Sequence, residues 1–288
     1  MQPIILGLIS GSIYALIALG IALVYKSSRV LNFAQAEIGT LTLYATYGVT
    51  VALGLPWIVG AMASIAGGIA IGLVFELLVI RRMITASRVT VAVATIGLFS
   101  LMLAVEAQFF AGKIFILPPP FSRGGVTIAG VYVSANQWLA LGVVIVVAAA
   151  LAAFLRFTDF GLAVLASADD PVAAQLMGAP RNRISAFIWG TAGALSALAV
   201  LLIEPTVGAL APGAFAGLFV GGLTAALVGG LSSLAGAFVG GLVVGIVEAE
   251  VKAHLVISQI PSTNVAAMLV IVLLVLLLRP QGLLGNRA

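Results

Sequence analysis

The chain has 288 residues, of which 62 % are hydrophobic and 8 % charged, and its mean hydropathy is +1.27. A soluble domain carries about 25 % charged residues, so this chain has too few charges to cover a water-exposed surface. The composition excludes a soluble enzyme, a nucleic-acid-binding protein and a secreted disulfide scaffold, and the lack of cysteine excludes thiolate chemistry. We expect an all-α polytopic membrane protein, folded as one transmembrane domain over residues 1–288.

Nine apolar segments are long enough to cross a bilayer, which takes about 20 residues as a helix. They cover residues 4–25, 33–53, 57–80, 89–111, 137–155, 184–203, 214–230, 233–251 and 261–278. The seventh and eighth segments are rich in glycine and almost contiguous, so eight crossings remain an alternative to nine.

Lysine and arginine set the expected orientation, because they concentrate in cytoplasmic loops. With nine helices and the N-terminus outside, ten of these residues lie inside and three outside; with eight helices the split is nine against four. The distribution predicts an outside N-terminus and a cytoplasmic C-terminus, and it slightly favours nine crossings.

Glycines four residues apart recur along the chain. This spacing lets helix backbones approach closely in a membrane. The pattern predicts either tight, broken helices that line a path or ordinary helix packing. The pairs are Gly7/Gly11, Gly68/Gly72, Gly217/Gly221, Gly236/Gly240 and Gly241/Gly245.

The acidic residues within the apolar segments all lie away from the segment centres. Carriers coupled to an ion gradient place their coupling groups near the bilayer midplane, so this distribution disfavours such a carrier. These residues are Glu37, Glu76, Glu106, Glu204, Glu248 and Glu250. Arg81 and His254 are the expected partners of Glu76 and Glu250, and the single histidine lacks the ligands for a zinc site. Catalytic and nucleotide-binding motifs are missing from the sequence, so energy for uphill transport must come from another subunit.

The segment 156–183 is the one sizeable cytoplasmic loop that we expect. Asp170 suits a helix N-cap, Pro171 the first helical position and Gly178 the position after the last turn, which predicts a helix over residues 171–177. A helix this short is unstable alone in water. It therefore needs a surface to rest on, either a soluble partner or the bilayer interface.

Several stretches resemble ABC importer permeases. Residues 173–178 (AAQLMG) resemble the A-A-x-x-x-G core of their cytoplasmic coupling loop. Residues 11–16 (GSIYAL) and 32–37 (NFAQAE), the glycine-rich stretch 228–242 and the ending 279–285 (RPQGLLG) resemble branched-chain amino acid permeases of the LivH type. That family typically reads N-F-A-H-G-E where this chain has Gln35 and Ala36, so the solute stays open.

The resemblance implies a permease subunit that hydrolyses no ATP itself, binds no cofactor and contacts no nucleic acid. It would lie in the bacterial cytoplasmic membrane with a second related permease, two ATP-binding subunits and a periplasmic solute-binding protein. The implied solutes are branched-chain amino acids or related small molecules. A secondary carrier and a passive channel for small polar solutes are the alternatives.

Two sets of residues follow as candidates. For coupling to the ATP-binding subunits we expect Asp170, Ala173, Ala174, Leu176 and Gly178. For the translocation path we expect Tyr14, Asn32, Glu37 and Thr40. Asn32 and Glu37 also suit the start of the second helix, so helix capping is the alternative for both.

Overall fold

The computed structural model describes residues 2–83, 85–110, 112–254, 270 and 282–284, which form a helical bundle with one β-hairpin. A π-helical turn (Gly48–Ala52) extends the second helix, and a 3-10 turn (Ile80–Met83) follows the third. The helices are α1 (Gln2–Ser28), α2 (Gln35–Tyr47), α3 (Trp57–Leu78), α4 (Arg88–Phe110), α5 (Ala135–Phe157), α6 (Asp159–Asp169), α7 (Pro171–Leu176), α8 (Arg181–Val207), α9 (Ala216–Gly229) and α10 (Leu234–His254). The hairpin strands are β1 (Gly125–Ile128) and β2 (Val131–Ser134).

Six of the described helices are long and apolar enough to cross a membrane: α1, α3 with its 3-10 extension, α4, α5, α8 and α10. The expected crossing at 33–53 corresponds to α2 and its π-helical turn, and the one at 214–230 to the shorter α9. The expected crossing at 261–278 lies outside the described residues, apart from Val270. The chain is a multi-pass membrane protein, and eight or nine crossings stay a prediction.

The centre of the bundle is formed by α1 and α8, which are buried over most of their length. By contrast, α3, α4 and α5 turn long aliphatic surfaces outward, including Val89, Leu101 and Val146. Such surfaces would be unfavourable in water and are stable against lipid or another apolar helix.

Helix backbones touch at glycine, as the sequence predicts. A Cβ atom on Gly11 of α1 would lie 2.7 Å from the carbonyl oxygen of Gly241 in α10, and one on Gly68 of α3 would lie 2.4 Å from that of Gly193 in α8. The prediction is wrong for Gly217, because this glycine is exposed in the first turn of α9 and has no atom near its absent side chain. The pairs Gly7/Gly11, Gly68/Gly72, Gly236/Gly240 and Gly241/Gly245 all make such contacts.

The connection between α8 and α9 folds back into the protein. Gly208 ends α8 with a left-handed backbone (φ +70°), and Leu210 then pairs with Phe115 through two backbone hydrogen bonds of 3.1 and 2.9 Å. Leu210 and Phe215 are both fully enclosed. The connection therefore packs against α4 and the segment that follows it, a contact that no local sequence pattern indicates.

Two helices lie between α5 and α8, in the loop that the sequence predicts to be cytoplasmic. The second, α7, matches the helix expected at 171–177, whereas α6 was not expected. Thr158 starts α6, because its hydroxyl accepts a hydrogen bond from the Gly161 backbone at 3.0 Å. An ion pair of 3.7 Å between Lys26 and Asp169 places this end of α6 beside the end of α1.

Candidate functional site

The N-terminal end of α7 is capped as the sequence predicts. The Asp170 Oδ1 atom accepts hydrogen bonds from the backbone of Val172 at 2.9 Å and of Ala173 at 3.0 Å. Pro171 occupies the first turn, where the lack of an N–H costs nothing. Two of the backbone donors that a helix start leaves unpaired are thus satisfied without help from the rest of the protein.

The other end of α7 closes on Gly178, whose backbone is left-handed (φ +89°). Its N–H donates to the carbonyl of Gln175 at 3.0 Å, and the next N–H, of Ala179, donates to that of Ala174 at 2.9 Å. A Cβ atom on Gly178 would meet no atom within 4 Å. Glycine is therefore favoured here by backbone conformation and not by lack of space.

The outward side of α7 is apolar. Val172, Leu176 and Met177 are 69 %, 83 % and 89 % exposed, whereas Ala174 is buried against the protein. We call these three exposed residues the α7 face. Large apolar side chains grouped on an exposed short helix are typical of a surface that another molecule covers.

The helix that precedes α7, α6, packs firmly into the bundle. Val164 of α6 belongs to one buried apolar cluster with Leu155 of α5 and with Leu23 and Val24 of α1. The cluster thus joins α6 to the C-terminal ends of α1 and α5.

A second polar region lies in the interior, at residues 32–37. The Asn32 side chain accepts from the Ala34 backbone at 3.1 Å and donates to Gln35 Oε1 at 3.0 Å. Gln35 Nε2 donates in turn to the carbonyl oxygen of Ala192 in α8 at 2.8 Å. The Ser196 hydroxyl donates to the Gln35 carbonyl and accepts from the Gly39 backbone at 2.9 Å. This network fixes the start of α2 to the middle of α8.

The four expected path residues do not share one set of contacts. Tyr14 donates a 2.5 Å hydrogen bond to Glu248 of α10, and Thr40 donates to the carbonyl of Ala36 in its own helix. The N-cap position of α2 is Ala34, without a side-chain cap, so Asn32 lies two residues before the capping position and accepts from the backbone of Ala34 itself. Glu37, by contrast, faces two ionisable groups, one in α2 and one in α4.

Glu37 of α2 lies against Glu106 of α4, and the Tyr44 hydroxyl is close enough to both carboxyl groups to interact with them. We call these three residues the acid–tyrosine cluster. Their side chains are 1 %, 0 % and 6 % exposed. Tyr44 also stacks on Phe110, with ring centroids 3.8 Å apart. Sequence reasoning treated the two acids as separate and missed Tyr44, because no local pattern indicates which helices are neighbours.

Two of the remaining acids have the partners that the sequence predicts. Glu76 receives two hydrogen bonds from Arg81, the shorter of 2.9 Å, and Glu250 lies 3.2 Å from His254. Among the described residues, no group of three or more histidine, cysteine, aspartate and glutamate side chains could hold a metal ion.

Known proteins resemble this chain over almost its entire length. Residues 4–278 match the family described as "Branched-chain amino acid transport system / permease component". The high-affinity branched-chain amino acid transport system permease protein BraD of Pseudomonas aeruginosa is 31 % identical over 99 % of this chain and 96 % of its own length. LivH of Escherichia coli, with the same description, is 28 % identical over the same shares.

One solved structure has a similar fold. PsaBC from Streptococcus pneumoniae, in complex with a Fab, aligns with a TM-score of 0.52 and 13 % identity, covering 98 % of this chain and 93 % of that one. At this identity the similarity concerns the fold alone. The family match and the curated relatives cover the whole bundle, including the network at 32–37 and the α7 face. The chain therefore belongs to the family of branched-chain amino acid transport system permease components, and it is a transport subunit, not an enzyme.

Proposed function

We propose that this permease is the membrane path of an ATP-driven importer for branched-chain amino acids or closely related small solutes. It would work in the bacterial cytoplasmic membrane with a second related permease, two ATP-binding subunits and a periplasmic solute-binding protein. The chain itself would bind no nucleotide and no cofactor. Family membership supports the solute class. The α7 face supports the docking of a separate subunit that supplies the energy.

The observation that carries the proposal is a short helix that is capped at both ends and apolar on its outer side. The caps keep α7 helical, while the α7 face supplies the docking energy. Complete burial of one Val, Leu or Met side chain contributes about 1.5–3 kcal/mol. Leu176 alone, at 83 % exposure, is thus sufficient to change the affinity of a partner about tenfold or more.

In this mechanism ATP binding draws the two partner subunits together, and α7 moves with them. Asp170 and Gly178 hold the helix ends, Ala173 and Ala174 allow close approach, and Leu176 is the anchor. The displacement passes through α6 to α1 and α5, whose tilting opens one side of the path and closes the other. Tyr14, Asn32, Glu37 and Thr40 are the proposed path residues.

The test replaces Leu176 with serine and compares it with Leu162→Ser, a matched change of a half-exposed leucine on α6. We expect Leu176→Ser to lose co-purifying ATP-binding subunits and ATP-dependent uptake by about tenfold or more. Leu162→Ser should retain both. Gly178→Val should also lose uptake while still inserting in the membrane, because valine is strained at a φ of +89°.

Other outcomes would contradict the proposal. Uptake by the purified chain in lipid vesicles without ATP would identify a secondary carrier. Flux that does not saturate and needs no energy source would identify a passive channel. Equal loss of subunit binding in both serine variants would show that α7 is not a specific docking element.

A further inference from the structure

We propose that the acid–tyrosine cluster of Glu37, Glu106 and Tyr44 binds the ammonium group of the transported amino acid. This inference rests on the proposed function, because it takes an amino acid as the solute. It assigns a site within the membrane domain to one chemical group of that solute.

The first support is that the cluster holds more hydrogen-bond acceptors than donors. Both carboxylate oxygens of Glu37, both of Glu106 and the Tyr44 hydroxyl are buried, and none makes a hydrogen bond of normal geometry with the described residues. Buried polar groups are nearly always paired, because an unpaired one loses its hydration without compensation. Three adjacent side chains with this deficit indicate a place for a ligand that donates hydrogen bonds.

The chemistry of a primary ammonium matches this deficit. It carries one positive charge and three N–H donors, as many as the cluster has acceptor side chains. Within the described residues, neither Glu37 nor Glu106 has an ion pair with a lysine, arginine or histidine. A cationic ligand would supply that charge. A divalent metal is disfavoured, because the described part of the chain has no group of three acidic, histidine or cysteine ligands.

Aromatic rings form the wall beside the cluster. Phe110 stacks on Tyr44, and Phe115 packs edge-on against Tyr44 with ring centroids 5.6 Å apart. Tyr47 lies against Phe115 in the same way, at 4.9 Å. Aromatic faces attract a cation and also suit the aliphatic side chain of a branched-chain amino acid. The cluster thus combines acceptors for the ammonium with an apolar surface for the rest of the molecule.

The location suits a site that opens and closes. Glu37 lies two residues after Gln35, whose side chain attaches the start of α2 to α8. Glu106 faces the backbone N–H of Gly213, in the connection that folds back between α8 and α9. Three separate elements of the fold therefore meet at the cluster: α2, α4 and the residues after Gly208. A bound ammonium would hold them together, and its release would let them separate.

The test measures binding of isopentylammonium to the purified transporter complex in detergent by titration calorimetry. Isopentanol, a neutral molecule of the same shape, is the control ligand. We expect saturable binding of the amine alone, weakened at least tenfold by Glu37→Gln and by Glu106→Gln. Glu250→Gln, which changes an exposed acid on α10, should bind as the original protein does.

A milder variant covers the case in which the glutamine variants fail to fold. Tyr44→Phe keeps the ring stack on Phe110 and removes one acceptor, so we expect the affinity for isopentylammonium to fall several-fold. Unchanged affinity in Tyr44→Phe and in both glutamine variants would overturn the inference, as would the absence of amine binding to the original protein. Displacement of the amine by sodium ions at equal concentration would show a general cation site and would overturn it too.

A separate assay distinguishes this inference from the proposed function. Leucine uptake is measured in vesicles that hold the complete transporter, with ATP and loaded binding protein. Amine binding without leucine uptake would overturn the proposed function and leave the ammonium site standing. Leucine uptake that is equally fast in Glu37→Gln, Glu106→Gln and the original protein would overturn the ammonium site alone.

Discussion

Replacing Gly193 with alanine should separate α8 from α3 and destabilise the bundle. A Cβ atom at this position would lie 2.0 Å from the carbonyl oxygen of Gly68 in α3. Carbon and carbonyl oxygen atoms in contact stay about 3.3 Å apart, so α3 and α8 would have to separate by roughly 1.3 Å. The obstructing atom belongs to helix backbone and cannot rotate away. We therefore expect a loss near the upper end of the usual cost of overpacking, about 3 kcal/mol.

Gly97→Ala in α4 is the matched control, because a Cβ atom there would meet nothing within 4 Å. Alanine is the better helix former by about 1 kcal/mol, so this variant should be as stable as the original or slightly more stable. The assay is thermal unfolding in detergent followed by tryptophan emission, for which Trp189 is well placed beside Phe75. Equal midpoints for both variants would refute the close contact between α3 and α8.

Two further predictions concern buried polar contacts. Arg81→Gln should lower the free energy of unfolding by about 3 kcal/mol, because it leaves the buried Glu76 carboxylate without its ion-pair partner. Thermal unfolding measures this loss. The double variant Glu76→Gln/Arg81→Gln should recover most of the lost stability. Gln35→Leu should cost about 1–3 kcal/mol, because Asn32 loses its acceptor and the Ala192 carbonyl loses the Gln35 donor. An unchanged unfolding midpoint in Gln35→Leu would show that the network at 32–37 does not stabilise the attachment of α2 to α8.

Features encoded by neighbouring residues could be predicted from the sequence. The apolar segments set the long helices, because each residue contributes separately to the preference for lipid. The caps of α7 are also local, since Asp170 bonds to the backbone two and three residues later and Gly178 needs only its own backbone conformation. Glycine spacing also predicted most of the close helix–helix contacts, because the pattern is visible within five consecutive residues.

Features that depend on tertiary neighbours could not be predicted. The acid–tyrosine cluster joins α2 to α4, and no local pattern links Glu37 to a residue 69 positions further along. The backbone pairing of Phe115 with Leu210 is of the same kind. The helix α6 was missed because its signal, a threonine cap before 11 residues that begin and end with aspartate, is weak beside the stronger caps of α7. The function nevertheless followed from the resemblance, since its motifs are short and local.

A series of contacts links α6 and α7 to the proposed ammonium site. The Lys26–Asp169 ion pair and the apolar cluster around Val164 join α6 to the end of α1. From that end the chain turns within a few residues into Asn32 and the start of α2, where Thr95 of α4 bonds to the carbonyl of Leu31 at 3.1 Å. Displacing the end of α1 must therefore strain either this hydrogen bond or the contact of Gln35 with α8. Either change would alter the position of α2 relative to α4 or α8 and so the position of Glu37. The docking proposed for α7 would then be coupled to the geometry of the acids inside.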